Sequence, residues 1–180
     1  MNYLLMRFSK LLLCGVTLAS VSLNAQAQSV DGGANPAPLN HHIVFSEALS
    51  RTNIQRDLEN SGDFTVFAPS DTAFKALLNK NGDFNVVLKD TKALRSIVAY
   101  HIVAGQFTAS RILKALCRGE GAAVFTTIQG EQLIATLEGV DIVLTDCSGN
   151  RARIIKADNG AENLLFHEID QVILPSSPIP

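Results

Sequence analysis

The sequence has no lysine- or arginine-rich run, and its formal charge is only −2 over 180 residues. Neither nucleic acid nor an anionic membrane surface is an obvious partner for such a chain. There is no glycine-rich phosphate cradle and no G-x-S-x-G elbow, and His167-Glu168 lacks the second histidine of H-E-x-x-H. No internal repeat is visible. Cysteine is scarce, with only Cys14, Cys117 and Cys147, and none of them is in a C-x-x-C spacing. The one long apolar stretch, Leu11–Leu23, is too short for a membrane span, which takes roughly 20 residues. These absences point away from phosphate-binding, nucleophile-elbow and zinc-protease layouts, and no cofactor or metal is called for.

What is present begins with the ends. Arg7 and Lys10 precede the apolar stretch, and the A-x-A pattern of Ala25-Gln26-Ala27 follows it. Charge, apolar core and small residues in that order read as a secretory signal peptide over 1–27, cut after Ala27. Cys14 leaves with it and is misplaced for a lipid anchor, since more apolar sequence follows. Loss of two cations and no anions takes the formal charge from −2 to −4. Export to an oxidising compartment makes a Cys117–Cys147 bridge the default expectation, with a redox pair as the alternative. Such a bridge would close a loop of about 30 residues and contribute roughly 3–4 kcal/mol.

Residues 28–40 are small, polar and rich in Gly and Pro, and read as a flexible linker. Residues 176–180 read as a disordered tail. One domain is expected over 41–175. Its first half is helical with one strand. Ile43, Val44, Ala48 and Leu49 share a helical face. Phe64–Ala68 alternates as a strand and ends at Pro69. Ser70, Asp71 and Thr72 can cap a helix whose apolar face is Ala73, Phe74, Leu77 and Leu78, stopped by Asn81-Gly82. A further helix over about Thr91–Tyr100 buries Leu94, Ile97 and Val98. Thr108 caps a short one reaching about Leu116. The second half is β: strands at Val124–Ile128, Gln132–Leu137, Val140–Thr145, Ala152–Ala157 and Leu164–Leu174. Turns are expected at Gln129–Glu131, Gly139, Asp146–Asn150 and Asp158–Gly160. Helices followed by a meander of hairpins argue an α+β fold with an antiparallel-rich sheet.

Three stretches then carry a resemblance. Phe64–Leu78 (FTVFAPSDTAFKALL) resembles the first signature of fasciclin-like domains. Ile97–Gly105 (IVAYHIVAG) resembles the second, with the Tyr-His pair at Tyr100 and His101. Asn163–Pro175 (NLLFHEIDQVILP) resembles the ending. The three occur in order and cover 41–175. The resemblance implies a β-wedge or sandwich of mostly antiparallel strands with helices packed along one side. It implies a secreted or periplasmic, non-catalytic module for cell adhesion, with a cell-surface or matrix protein or glycan as partner. The single-domain layout is similar to bacterial members. It places Tyr100 and His101 in the partner-binding region. The family's Asp-Ile pair falls at Arg111-Ile112, where a cation replaces the acid, so a receptor whose metal site takes a carboxylate is not implied.

The residues themselves also admit plainer roles. His101, between a helix and a strand, is expected to be partly buried and bonded to backbone, with the Tyr100 hydroxyl fixing the next turn. His167 and Asp170 lie three apart on a strand and so face opposite ways. His167 is expected to be structural, and Asp170 to bind backbone amides or a cap. Ser70-Asp71 is read as helix capping. His41-His42 side chains diverge and make a poor metal site. Two other functions remain open at this stage: a carrier of a small apolar ligand, and a hydrolase using His101 with an acidic neighbour.

Overall fold

The computed structural model describes residues 42–176 except 60, 81–83 and 162. The expected signal peptide and linker, His41, the expected helix stop at Asn81-Gly82 and the expected tail beyond Ser176 lie outside the described residues. Among the described residues there are six helices and seven strands: α1 Ile43–Arg51, α2 Ile54–Glu59, β1 Phe64–Pro69, α3 Asp71–Lys80, α4 Phe84–Lys89, α5 Thr91–Tyr100, β2 Ile102–Ala104, α6 Ala109–Arg118, β3 Ala122–Thr126, β4 Gln132–Glu138, β5 Asp141–Thr145, β6 Arg151–Ala161 and β7 Leu164–Ile169.

The strands form one sheet in the order β2-β1-β7-β6-β5-β4-β3. Only β1 and β7 run parallel, and the other five pairings are antiparallel. The ends of the sheet approach each other through a bridge between Val103 and Thr127 and a bond from Ile128 N–H to the Ile102 carbonyl (2.8 Å). The sheet therefore curls into a near-barrel, as the α+β wedge expectation required.

The apolar residues fall into two clusters. Phe45, Leu49, Phe74, Leu94 and Val98 pack the helices against Val66 and Phe166 of the sheet. Phe67, Tyr100, Ile112, Phe125, Leu133, Leu144 and Ile169 fill the inside of the curled sheet. β1 is buried along its whole length because it lies between the two.

Local chemistry sets the ends of the elements. Asp90 caps α5 by accepting from Lys92 N–H (2.8 Å) and Ala93 N–H (3.4 Å). Ser70 caps α3 through Ala73 N–H (3.2 Å), while its neighbour Asp71 accepts from Val44 N–H (3.0 Å) and ties α3 to α1. Thr108 caps α6 through Arg111 N–H. In α1 the buried side is Phe45, Ala48 and Leu49, and Ile43 is exposed, one position away from the expected face.

Two β expectations are corrected. Asp158–Gly160 is not a turn: β6 runs through it, with register shifts between Ile154 and Asn159. Asp158 has φ 59° and Gly160 φ 140°, so residues that suit a turn here make a bulge. The last strand stops at Ile169 instead of reaching Leu174. Beyond it the chain is tied at two points: Asp170 exchanges bonds with the Arg153 backbone, its N–H donating to the carbonyl (3.1 Å) and its Oδ1 accepting from the N–H (2.7 Å), and Leu174 N–H donates to Asp146 Oδ2 (3.0 Å).

Candidate interaction surface

α5 delivers Tyr100 and His101 to the point where helix layer and curled sheet meet. Its capped N-terminus and nearly continuous burial fix its axis, and its last turn places Tyr100 toward the sheet interior. His101 is the residue after the helix, with backbone φ −84° and ψ 0°. Both side chains are 0% exposed.

The His101 ring is fully engaged. Nδ1–H donates to the Ile97 carbonyl one turn back (2.8 Å), which leaves Nε2 to accept from Ile173 N–H (3.4 Å). Phe45 meets the ring edge-on at 5.5 Å. The His101 backbone carbonyl accepts from Phe67 N–H (2.8 Å). One residue thus joins α5, α1, β1 and the C-terminal segment. Burial lowers its pKa from 6.5 to about 4, outweighing the opposing effects of the Ile97 bond and Asp146. It is a neutral structural imidazole, more deeply buried than expected.

Tyr100 reaches the other way. Its hydroxyl donates to the Gln132 carbonyl at the start of β4 (2.9 Å) and accepts from Cys147 N–H in the turn after β5 (3.3 Å). Burial first raises its pKa well above the ordinary 10. The turn it braces is organised by Asp146, which is itself buried. Asp146 Oδ1 accepts from Ser148 and Asn150 N–H, and Oδ2 from the Asn150 side chain and Leu174 N–H. In the sequence Asp146 stands out only as part of a turn. The Asp-x-Ser-Gly-Asn pattern that signals an Asx-turn was the available clue. Above Tyr100 the two turns flank a shallow groove of about 360 Å³ lined by Glu131, Gln132, Ile134, Thr145, Cys147 and Ser176 among others.

The Cys117–Cys147 bridge is not formed. Both cysteines are free and exposed. Cys117 lies on α6, whereas Cys147 lies in the β5–β6 turn with its Sγ 3.7 Å from the Leu174 carbonyl. Export and an even count said nothing about which elements carry the sulfurs, and a bridge needs its Cα atoms within about 7 Å. Burial, then the neighbouring Glu131 carboxylate, raise the Cys147 thiol pKa.

The other chemistry-bearing residues are also committed. His167 Nε2–H donates to the Phe107 carbonyl (2.7 Å), and Nδ1 accepts from Asp158 N–H (3.3 Å). Its ring stacks on Phe67, and burial lowers its pKa. Asp170 is not among the partners of either ring nitrogen, and its Oδ1 serves the Arg153 amide. His42 donates from Nδ1 to the Pro69 carbonyl (2.8 Å), and its Nε2 lies 3.5 Å from Glu168 Oε2, which Lys156 also meets at 2.9 Å. Among the described residues no group of three or more His, Cys, Asp or Glu could hold a metal. Nor is any described helix long and apolar enough to cross a membrane. Of the pair Arg111-Ile112, the isoleucine is buried and only the arginine faces out.

A curled, mostly antiparallel sheet with helices along one side defines the fold class of this domain. Residues 40–175 match the fasciclin domain model, and the chain belongs to that family. It is 34% identical over 128 residues to the uncharacterized protein sll1735 of Synechocystis sp., a match spanning 71% of this chain and 84% of that one. It is 30% identical over 119 residues to the cell surface glycolipoprotein MPB83 of Mycobacterium bovis, spanning 66% of this chain and 47% of that one. Among solved structures it is similar to the FAS1 domain pair of the insect cell adhesion molecule fasciclin I. There the TM-score is 0.60 and the identity 26%, over 74% of this chain and 45% of that one.

Proposed function

We propose that this protein is an exported, non-catalytic adhesion module that binds a cell-surface or matrix protein or glycan. Its leader is residues 1–27, followed by a linker over 28–40. The observation that carries this reading is the engagement of the histidines. His101 and His167 have both ring nitrogens bonded to backbone and lowered pKa values, so neither serves as a base for a hydrolase. Ser70 is occupied as a helix cap. Kinship with a cell-surface glycolipoprotein and a cell adhesion molecule supports the same reading.

Tyr100 and His101 act in this reading as positioning residues. They hold the β3–β4 and β5–β6 turns and the C-terminal segment, and exposed residues outside them make the contact. The test is recovery of the purified domain by intact cells or matrix, compared with a scrambled-surface control, alongside ester, glycoside and peptide substrates. Recovery above the control with no turnover is expected. Turnover abolished by His101→Gln, or recovery equal to the control, would sink the proposal.

A further inference from the structure

α6 carries three cations on one side, and the first of them stands where the helix dipole disfavours it. Arg111, Lys114 and Arg118 are all exposed. At 100° per residue they fall within an arc of about 60°, and over about 10 Å of axis. Ile112 and Leu116, on the opposite side, are buried in the sheet interior. The spacings i, i+3 and i, i+4 make each neighbouring pair mutually repulsive. Arg111 also stands in the first turn, where the helix dipole favours anions. None of the three is in a salt bridge among the described residues. The nearest acids in sequence and bonding are Asp158, whose Oδ1 accepts from Ala109 N–H, and Glu120 beyond the helix end. Arg111 is further held by a bond from its guanidinium to the Gln106 carbonyl (2.6 Å).

We propose that this ridge is a docking site for an acidic polysaccharide, one bearing sulfate or uronate groups. This deepens the adhesion reading and rests on it. An unpaired cationic ridge on a chain of net charge −2 has its complement in a polyanion, and two guanidinium forks match carboxylate and sulfate geometry. A membrane surface fits less well. An interfacial helix inserts its apolar face, but that face of α6 is committed to the core, and only Leu113, 40% exposed, remains. A folded acidic protein would want aromatic or apolar anchors at the centre of the contact, and the ridge has none. Repulsive like-charge pairs that no described salt bridge offsets are where function is to be sought.

The experiment uses the whole exported domain on immobilised heparin, polygalacturonate and neutral dextran, and with phosphatidylglycerol vesicles. Wild type is compared with the triple variant Arg111→Gln/Lys114→Gln/Arg118→Gln. A second triple variant, Lys75→Gln/Lys80→Gln/Lys92→Gln, makes the same charge change elsewhere. Removing repulsive pairs leaves the first variant folded, which its melting curve verifies. Wild type and the control variant are expected to bind one or both polyanions, releasing with salt, and not dextran. The α6 variant is expected to bind at least about tenfold more weakly. Equal retention of the α6 variant, equal loss in the control variant, or no binding to either polyanion overturns the proposal. Binding to vesicles but not polysaccharide replaces it with a membrane site. If cells or matrix retain wild type and α6 variant alike, the ridge falls and adhesion stands. If polysaccharide binding depends on α6 but cells and matrix retain nothing, the ridge stands and adhesion falls.

Discussion

His101 shows how one side chain couples stability to pH. The unfolded imidazole takes up a proton below about 6.5, while the folded one does so only below about 4. Stability from the neutral buried form is therefore complete above pH 6.5 and is lost as pH falls to 4. Over that window His101 alone contributes about 3 kcal/mol. His167, whose pKa burial also lowers, adds in the same direction. Urea midpoints measured from pH 7 to 4 should drop steeply, and His101→Gln should be less stable at pH 7 with a shallower slope. A midpoint flat across this window would contradict the burial argument. At Tyr100, replacement by Phe leaves the Gln132 carbonyl without its donor and the Cys147 amide without its acceptor. A loss of about 1–2 kcal/mol is expected by chemical denaturation. The bonding of His101 to backbone was legible from its place between helix and strand. Its complete burial was not, because Phe45 and Ile173, which cover and bond the ring, are remote in sequence.

The same contrast holds for elements. α5 and α3 were readable because their apolar spacing is local, and at α3 the expected cap Ser70 does cap it. The Asp90 cap of α5 is a local signal that went unread. Asp90→Ala should cost about 1 kcal/mol and lower the melting temperature by a few degrees. The short helices α2 and α4 went unread, since six residues carry too little periodicity. The β6 bulge was read as a turn because Asp-Asn-Gly suits both. Which one forms is decided by the pairing of Asn159 and Gly160 with Phe166 and Leu165, a choice made by register. At Gly160, φ is 140° and a Cβ would collide with the Leu164 carbonyl. Gly160→Ala should therefore destabilise by more than about 1 kcal/mol, whereas a free turn there would tolerate it.

For the whole molecule, three short signatures were enough to place the chain in its family. They were enough because Phe64–Leu78, Ile97–Gly105 and Asn163–Pro175 supply the strands and helix that meet at the Tyr-His brace. Disulfide pairing was not legible, since parity and compartment say nothing of distance. Native protein purified without reductant should give two titratable thiols. Cys147 should react more slowly than an unperturbed thiol near pH 8, because partial desolvation and the bond to Glu131 raise its pKa.

The central claim is that Tyr100 and His101 brace the binding surface from inside and do not touch the partner. Tyr100→Phe/His101→Gln, compared with wild type in thermal melts and in binding to intact cells or matrix, tests it most directly. The account predicts a melting temperature lower by about 5–10 °C, with binding at low temperature reduced only as far as the folded fraction is. An unchanged melting temperature with binding abolished would contradict it.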